Sequence, residues 1–254
     1  MAELKWNKLG AYLKETQILG SIQNTLYWDQ NTGMPKKGAS WRSEQLTYIA
    51  KILHRRNSSE EFYNLIQSAK NELLDTEQNS NNQLFIKGKE RNINLLIKEF
   101  NRAKNLDPKL VESLAKAKSK GYESWQEAKK KSDFKVFLPF FEELVKLRIE
   151  EAKQISDQYS PWETLAQPFE PELTLKWLNK MFQPLKDTLP ELIKGISKSK
   201  KYHWDLSPES QQNLCSKLLD EFGRDKDLVV VGKSPHPFSI TLGPNDYRIT
   251  TRIV

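Results

Sequence analysis

Three polar side chains near the end of the sequence have a spacing that suits ligand contact. Asp246, Arg248 and Thr250 alternate along a segment rich in β-branched residues. Because successive side chains of a strand point to opposite faces, all three are predicted to lie on one face. A guanidinium in such a stripe can orient a ligand carboxylate, or it can order Asp246 as a surface ion pair that adds little stability. The sequence leaves both roles of Arg248 open.

A second candidate segment, His236-Pro237-Phe238, precedes this stripe by a few residues. The other two histidines, His54 and His203, are far away in sequence, and no two form the four-residue helical pair of a zinc site. We therefore interpret His54 as a capping or surface residue and His203 as a packing residue. The single cysteine, Cys215, excludes an internal disulfide, and its place in an amphipathic helical pattern predicts a packed thiol.

A third segment combines an aromatic ring, a carboxylate and a proline stop at the end of a long helical pattern. It contains Trp28 and Asp29, followed by Met34 and Pro35. The simpler interpretation is structural, namely an aromatic anchor with a polar helix end.

Composition narrows the class of protein. The formal net charge is +7, yet the excess lysines are scattered among glutamates on helix faces, which is typical of solvated surface. The densest cluster, Lys198–Lys201, falls at a predicted helix end, where cations complement the helix dipole. No apolar run approaches the ~20 residues of a membrane span, and no nucleic-acid module is present. We expect a cytoplasmic protein with neither membrane nor nucleic acid as partner.

Apolar residues recur at intervals of three and four up to about residue 222, which predicts a mostly helical, all-α protein. We expect a single elongated helical unit spanning 1–254. The first helix is predicted to point apolar residues toward a core, among them Leu9, Tyr12, Ile18, Ile22 and Tyr27. The predicted helical segments are 3–28, 42–53, 59–74, 79–104, one from Pro108, one through Phe134–Leu147, 171–196 and one opened by Ser207-Pro208 and closed by Gly223.

Residues 236–254 form the one predicted β element, a small antiparallel hairpin around a Gly-Pro-Asn-Asp turn. Its second run stops at Val254 inside an apolar pattern. An uncovered β-branched edge promotes aggregation, so natural domains normally cover it. We therefore expect the chain to be incomplete at its C-terminus.

Taken together, these segments resemble the carboxypeptidase Taq family of zinc metallocarboxypeptidases. The resemblance covers almost the whole chain, and its specific motifs are His236-Pro237-Phe238 and the Asp246–Arg252 segment. The supporting matches are Trp28-Asp29, Met34-Pro35, Trp125-Gln126-Glu127-Ala128, Asp133-Phe134, Phe137-Leu138-Pro139 and Phe169-Glu170-Pro171. The sequence departs from the family at 229–235, where valines replace a polar pattern.

The resemblance implies a helical protein with a deep groove, usually a homodimer, that removes residues from peptide C-termini. It also implies a zinc-binding His-Glu-x-x-His helix, which in the family follows the Asp-x-Arg-x-Thr motif and is absent from this sequence. By resemblance alone, the residues expected to line the substrate groove are His236, Pro237, Phe238, Asp246, Arg248 and Thr250. We assign none of them a catalytic role and expect no metal in this chain.

Three hypotheses follow from the sequence. The first is the N-terminal half of a zinc carboxypeptidase, truncated or encoded by a split gene, inactive alone and completed by a complementary C-terminal half. The second is a non-enzymatic remnant that binds peptides or dimerises. The third is a basic helical scaffold for RNA or anionic surfaces, which strong salt dependence of binding would reveal.

Overall fold

A computed structural model describes residues 4–77, 83–196 and 206–252. These residues form nine α-helices: α1 (Lys5–Thr32), α2 (Ala39–Asn57), α3 (Glu60–Glu77), α4 (Gln83–Lys104), α5 (Pro108–Lys131), α6 (Leu138–Ile155), α7 (Pro161–Ala166), α8 (Leu175–Lys194) and α9 (Pro208–Glu221). Two short 3-10 turns, Lys36–Gly38 and Phe134–Val136, and three strands complete them. The predicted helical fold class is confirmed. His203 and the Lys198–Lys201 cluster lie outside the described residues.

Local sequence signals set several helix starts. The Asp107 carboxylate accepts a hydrogen bond from an amide of the first turn of α5, and Pro108 occupies the first helical position. Ser207 caps α9 in the same manner. A reciprocal capping box between Ser160 and Glu163 opens α7, a short helix that the periodicity did not predict.

The described chain divides into two compact units, and the division falls within α6. One unit contains the residues up to 147 together with 224–252, and the other contains 148–223. The expectation that the whole chain is a single helical unit stays a prediction.

The core of the first unit forms where α1 packs against α3 and α4. The Tyr12 and Phe62 rings stack there with centroids 5.4 Å apart. Its buried members are Leu9, Tyr12, Phe62, Ile66, Ala69, Leu73, Ile86, Ile93 and Phe100.

The prediction that one apolar stripe of α1 faces a core is wrong beyond its first turns. Ile18, Ile22 and Tyr27 are 51, 45 and 43% exposed. The reason is that α1 changes neighbours along its 28 residues, so no single stripe has to be covered throughout. Its first turns join the core, whereas near its end the Asn24 side-chain amide donates to the Thr241 carbonyl at 3.1 Å.

The three strands form one mixed sheet. They are β1 (Val229–Lys233), β2 (Ser239–Gly243) and β3 (Asp246–Thr251), in the order β1-β3-β2. β2 and β3 form the predicted antiparallel hairpin, with Asn245 at φ 63° in its turn. β1 was not predicted; it pairs parallel to β3, with Val231 opposite Ile249. The sheet is therefore not purely antiparallel, and the strand that carries the polar stripe is central.

The second unit contains α7, α8 and α9. α8 continues as one helix through Pro184 and Pro190, and none of its residues is buried. Its large apolar side chains are exposed, with Leu192 and Ile193 at 64 and 63%. Cys215 on α9 is also exposed, so the prediction of a packed thiol is wrong. Within the part of the chain that the structure describes, no helix has the length and apolar character needed to cross a bilayer.

Candidate functional site

The structure brings the three predicted segments together at the C-terminal end of α1. The Phe238 ring lies edge-on to Trp28, with centroids 5.7 Å apart, and to Tyr27, with centroids 5.8 Å apart. Edge-to-face contacts of this kind stabilise aromatic pairs beyond the area they bury. The His-Pro-Phe segment is therefore anchored to α1 through Phe238, whereas His236 and Pro237 remain exposed.

Arg248 and Asp246 form the ion pair that their spacing predicts. The guanidinium donates to both carboxylate oxygens, from Nε at 2.5 Å and from Nη2 at 3.0 Å. These hydrogen bonds lower the pKa of Asp246 and raise that of Arg248. The guanidinium carbon also lies 5.6 Å from the centroid of the Trp28 ring, a cation–π arrangement. Of the two roles left open for Arg248, the ordering of Asp246 is therefore present in the structure.

Thr250 is the buried member of the stripe, with 2% of its surface exposed. The Phe238 amide donates to Thr250 Oγ1 at 2.9 Å, and the Thr250 amide donates to the Phe238 carbonyl at 2.8 Å. These two hydrogen bonds fasten the His-Pro-Phe segment to the central strand. A buried hydroxyl that accepts a backbone amide is costly to remove, because the amide would lose its partner.

Sequence reasoning missed Ser234, which completes this network. Its Oγ lies 2.6 Å from Thr250 Oγ1 and 2.6 Å from the His236 carbonyl oxygen. Only 9% of Ser234 is exposed. The parallel pairing of β1 with β3 places Ser234 here, and the Ser234 amide donates to the Thr251 carbonyl at 3.2 Å. No local sequence signal marks this serine, because its partner is 16 residues away.

α5 holds the other side of the His-Pro-Phe segment. The His236 ring lies edge-on to the Trp125 ring at 6.4 Å, and the Lys129 ammonium sits 4.9 Å from the Trp125 centroid. Lys129 Nζ also donates to the Pro235 carbonyl at 3.0 Å. The imidazole is thus presented at the surface by a segment fixed from three sides, by α1, α5 and β3.

The end of α1 is fixed by its own polar residues. Arg42 Nη2 meets Asp29 Oδ2 at 2.6 Å, and Arg42 Nη1 donates to the Leu26 carbonyl at 2.5 Å. The Met34 amide donates to the Asp29 carbonyl at 2.9 Å, and Pro35 then leads into the Lys36–Gly38 turn. These contacts support the structural interpretation of the Trp28–Pro35 segment. Whether the six motif residues line a substrate groove stays a prediction.

Across residues 4–77, 83–196 and 206–252, no group of three or more His, Cys, Asp and Glu side chains could hold a metal ion. Tetrahedral zinc takes at least three such ligands from the protein. The described residues therefore do not fit a zinc site, and we assign no reaction step through zinc to them.

Comparison with known proteins shows which family shares the sequence and fold around the candidate site. The Thermostable carboxypeptidase 1 of Thermus thermophilus is 27% identical over 265 residues, covering 98% of this chain and 51% of the relative. Carboxypeptidase 1 of Bacillus subtilis is 28% identical over 237 residues, covering 89% and 45%. The solved crystal structure of BsuCP superposes with a TM-score of 0.85 at 26% identity, covering 98% of this chain and 50% of that one.

The chain thus spans about half the length of the curated relatives it matches. The sequence model of one family, the carboxypeptidase Taq (M32) metallopeptidases, matches residues 8–254, which is nearly all of the chain. The matched region includes most of α1, all of α5, the His-Pro-Phe segment and the three-stranded sheet. It therefore contains every element that contributes residues to the candidate site. This chain belongs to the carboxypeptidase Taq (M32) metallopeptidase family.

Proposed function

We propose that the chain is the N-terminal half of a cytoplasmic zinc metallocarboxypeptidase and supplies one wall of its peptide groove. The observation that carries this proposal is the family match over residues 8–254 combined with coverage of about half of each relative. In this proposal the zinc ligands and the general base come from the other half of the family sequence. The isolated chain is inactive.

Within that enzyme, the residues of this chain position the peptide. The exposed His236 can exchange hydrogen bonds with a peptide backbone, because either ring nitrogen can donate or accept according to its protonation. Arg248 is held beside Trp28 by its two hydrogen bonds to Asp246, so its guanidinium has a fixed orientation. Thr250 and Ser234 act indirectly, since they hold the segment that carries His236.

The test compares the isolated chain with a fusion. The chain, purified with Zn²⁺, is incubated with an unblocked peptide, and released C-terminal residues are measured by mass spectrometry. We expect no release and no stoichiometric zinc. Fusing the chain to the part of Bacillus subtilis carboxypeptidase 1 beyond its matched region is expected to give chelator-sensitive release. The intact Bacillus enzyme is the positive control.

Two results would contradict the proposal. One is turnover by the isolated chain that a chelator abolishes. The other is a fusion that folds and binds one zinc per chain yet releases no C-terminal residue.

A second candidate function is that of a non-enzymatic remnant that binds peptides or pairs with itself or with a complementary half. The exposed apolar side chains of α8 favour it, because contiguous apolar surface of this kind marks association sites. Sedimentation velocity at increasing concentration tests it. Association should weaken in Ile193→Lys and persist in the control Lys186→Ala, on the same helix. A monomer at every concentration would remove the self-pairing form of this candidate.

A further inference from the structure

A cavity of about 570 Å³ lies beside the candidate site. It opens between the C-terminal end of α1, the Lys36–Gly38 turn, α5 and the residues that flank the sheet. Its lining includes Pro235, the residue next to His236. A space of this volume accommodates a few residues of an extended peptide.

Positive charge predominates around this cavity. Its cationic lining residues are Lys36, Lys129, Lys130 and Arg252, against the two carboxylates of Glu123 and Glu127. Glu127 already has a partner, since Lys131 Nζ lies 2.9 Å from its Oε1. Glu123 is partly buried, and burial raises its pKa. The four cationic side chains therefore outnumber the two carboxylates, one of which is already paired with a lysine.

Three of the cations are available to a ligand. Within the described ranges, Lys36, Lys130 and Arg252 form no ion pair, and all three are exposed. Lys36 and Lys130 act on Glu127 through space, because both lower its pKa. An anion that entered the cavity would meet unpaired ammonium and guanidinium groups.

The remaining polar lining suits a peptide backbone. Gln126 contributes a side-chain amide, which can pair with peptide N–H and C=O groups, whereas the Gln30 amide is buried and already donates to Ser119 Oγ at 3.2 Å. The Tyr122 hydroxyl oxygen is buried, and this burial raises its pKa. The Tyr122 ring lies 5.7 Å from the Trp125 ring, so an occupant of the cavity would change the surroundings of Trp125.

We propose that this cavity binds acidic side chains of a peptide, and that the full protein consequently favours peptides containing glutamate or aspartate near the groove. The proposal deepens the proposed function, on which it rests for the identification of peptides as substrates. A nucleic-acid backbone fits less well, because Glu123 and Glu127 lie among the four cations, whereas surfaces that bind nucleic acid are more uniformly positive.

The first experiment measures binding of two blocked peptides to the isolated chain. N-acetylated, C-terminally amidated tetraglutamate and tetraglutamine differ only in side-chain charge. We expect the glutamate peptide to bind about tenfold more tightly by titration calorimetry, with an advantage that shrinks as salt is raised. Because both ends are blocked, neither hydrolysis nor recognition of a free C-terminus contributes, so failure here is separable from failure of the proposed function.

The second experiment removes two of the free cations. Lys36→Ala with Lys130→Ala is expected to weaken tetraglutamate binding about tenfold. The matched control is Lys98→Ala with Lys109→Ala, which removes the same charge from exposed positions outside the cavity. It should keep at least half of the affinity.

Three outcomes would overturn the proposal. One is equal binding of the two peptides. Another is equal weakening by both double variants, which would indicate attraction to net charge rather than a site. The third is a single-stranded oligonucleotide that binds more tightly than tetraglutamate and loses its affinity only in the Lys36, Lys130 variant, which would assign the cavity to nucleic acid.

Discussion

The Trp28 ring lies directly against the backbone of Gly232. A β-carbon built on Gly232 would be 3.0 Å from Trp28 Cζ2 and 3.1 Å from Cη2. Such distances are shorter than ordinary carbon contacts of about 3.5–4.0 Å. The absence of a side chain at Gly232 therefore lets the end of α1 approach β1 closely enough for Trp28 to reach Phe238 and Arg248.

Gly232→Ala is expected to lower the free energy of unfolding by about 1–3 kcal/mol, because the added methyl group displaces the Trp28 ring. Gly243→Ala is the matched control, since Gly243 also lies in a strand and a β-carbon added there would have no heavy atom within 4 Å. Urea denaturation followed by tryptophan fluorescence measures both. Equal destabilisation by the two substitutions would contradict the close-contact explanation.

Thr250→Val should cost about 1–3 kcal/mol of stability, because it leaves the part-buried Phe238 amide without its acceptor while keeping the side-chain shape. Hydrogen exchange read by NMR should also show faster exchange at the Phe238 amide. Thr251→Val, one residue along the same strand, is the control and should change neither quantity appreciably. Unchanged protection of Phe238 in Thr250→Val would mean that the hydroxyl does not hold this segment.

Arg42→Met is expected to destabilise the protein by about 1–3 kcal/mol, because it removes the partner of Asp29 and of the Leu26 carbonyl together. The Arg42 side chain is only 12% exposed, so water replaces these hydrogen bonds poorly. Arg55→Met changes an exposed arginine of the same helix and should shift the unfolding midpoint little. A comparable loss of stability in Arg55→Met would show that the effect comes from the change in net charge instead.

His54 should make stability depend on pH. Burial lowers its pKa from the usual 6.5, and this effect outweighs the hydrogen bond with the Leu106 backbone and the attraction of Asp107. The unfolded chain therefore binds more protons than the folded one below about pH 6.5, and stability falls as the pH decreases from there.

The measurement is urea denaturation at pH 7.5 and pH 5.5 for the natural chain and for His54→Gln. The variant should lose less stability between the two pH values, because glutamine does not titrate. An identical loss in both proteins would show that other groups cause the pH dependence.

Helices were the predictable part of the fold because their signals are local. Asp107-Pro108 and Ser207-Pro208 carry the capping side chain and the proline that start α5 and α9. β1 was not predicted because it pairs with β3 residues that lie eighteen positions further along the chain. The exposure of Ile18 and Ile22 was not predicted for a related reason. Periodicity alone does not show that α1 changes neighbours along its length.

The candidate site was predictable as separate motifs and not as a network. The spacing of Asp246 and Arg248 placed both on one strand face, and the structure pairs them. The family resemblance named Trp28 and Phe238 as motif residues, but nothing local indicated that their rings meet. The sequence did not indicate the structural role of Ser234, because a single serine before a proline occurs in many unrelated settings.

The hydrogen bond from Asn24 to Thr241 joins residues 217 positions apart. During synthesis, α1 leaves the ribosome long before the sheet that it supports exists. At the usual elongation rate of about 5–20 residues per second, the end of α1 waits on the order of ten seconds or more for its partner. During that interval the Trp28 ring lacks its contacts with Gly232, Phe238 and Arg248. The end of α1 is then exposed to chaperones that bind nascent chains.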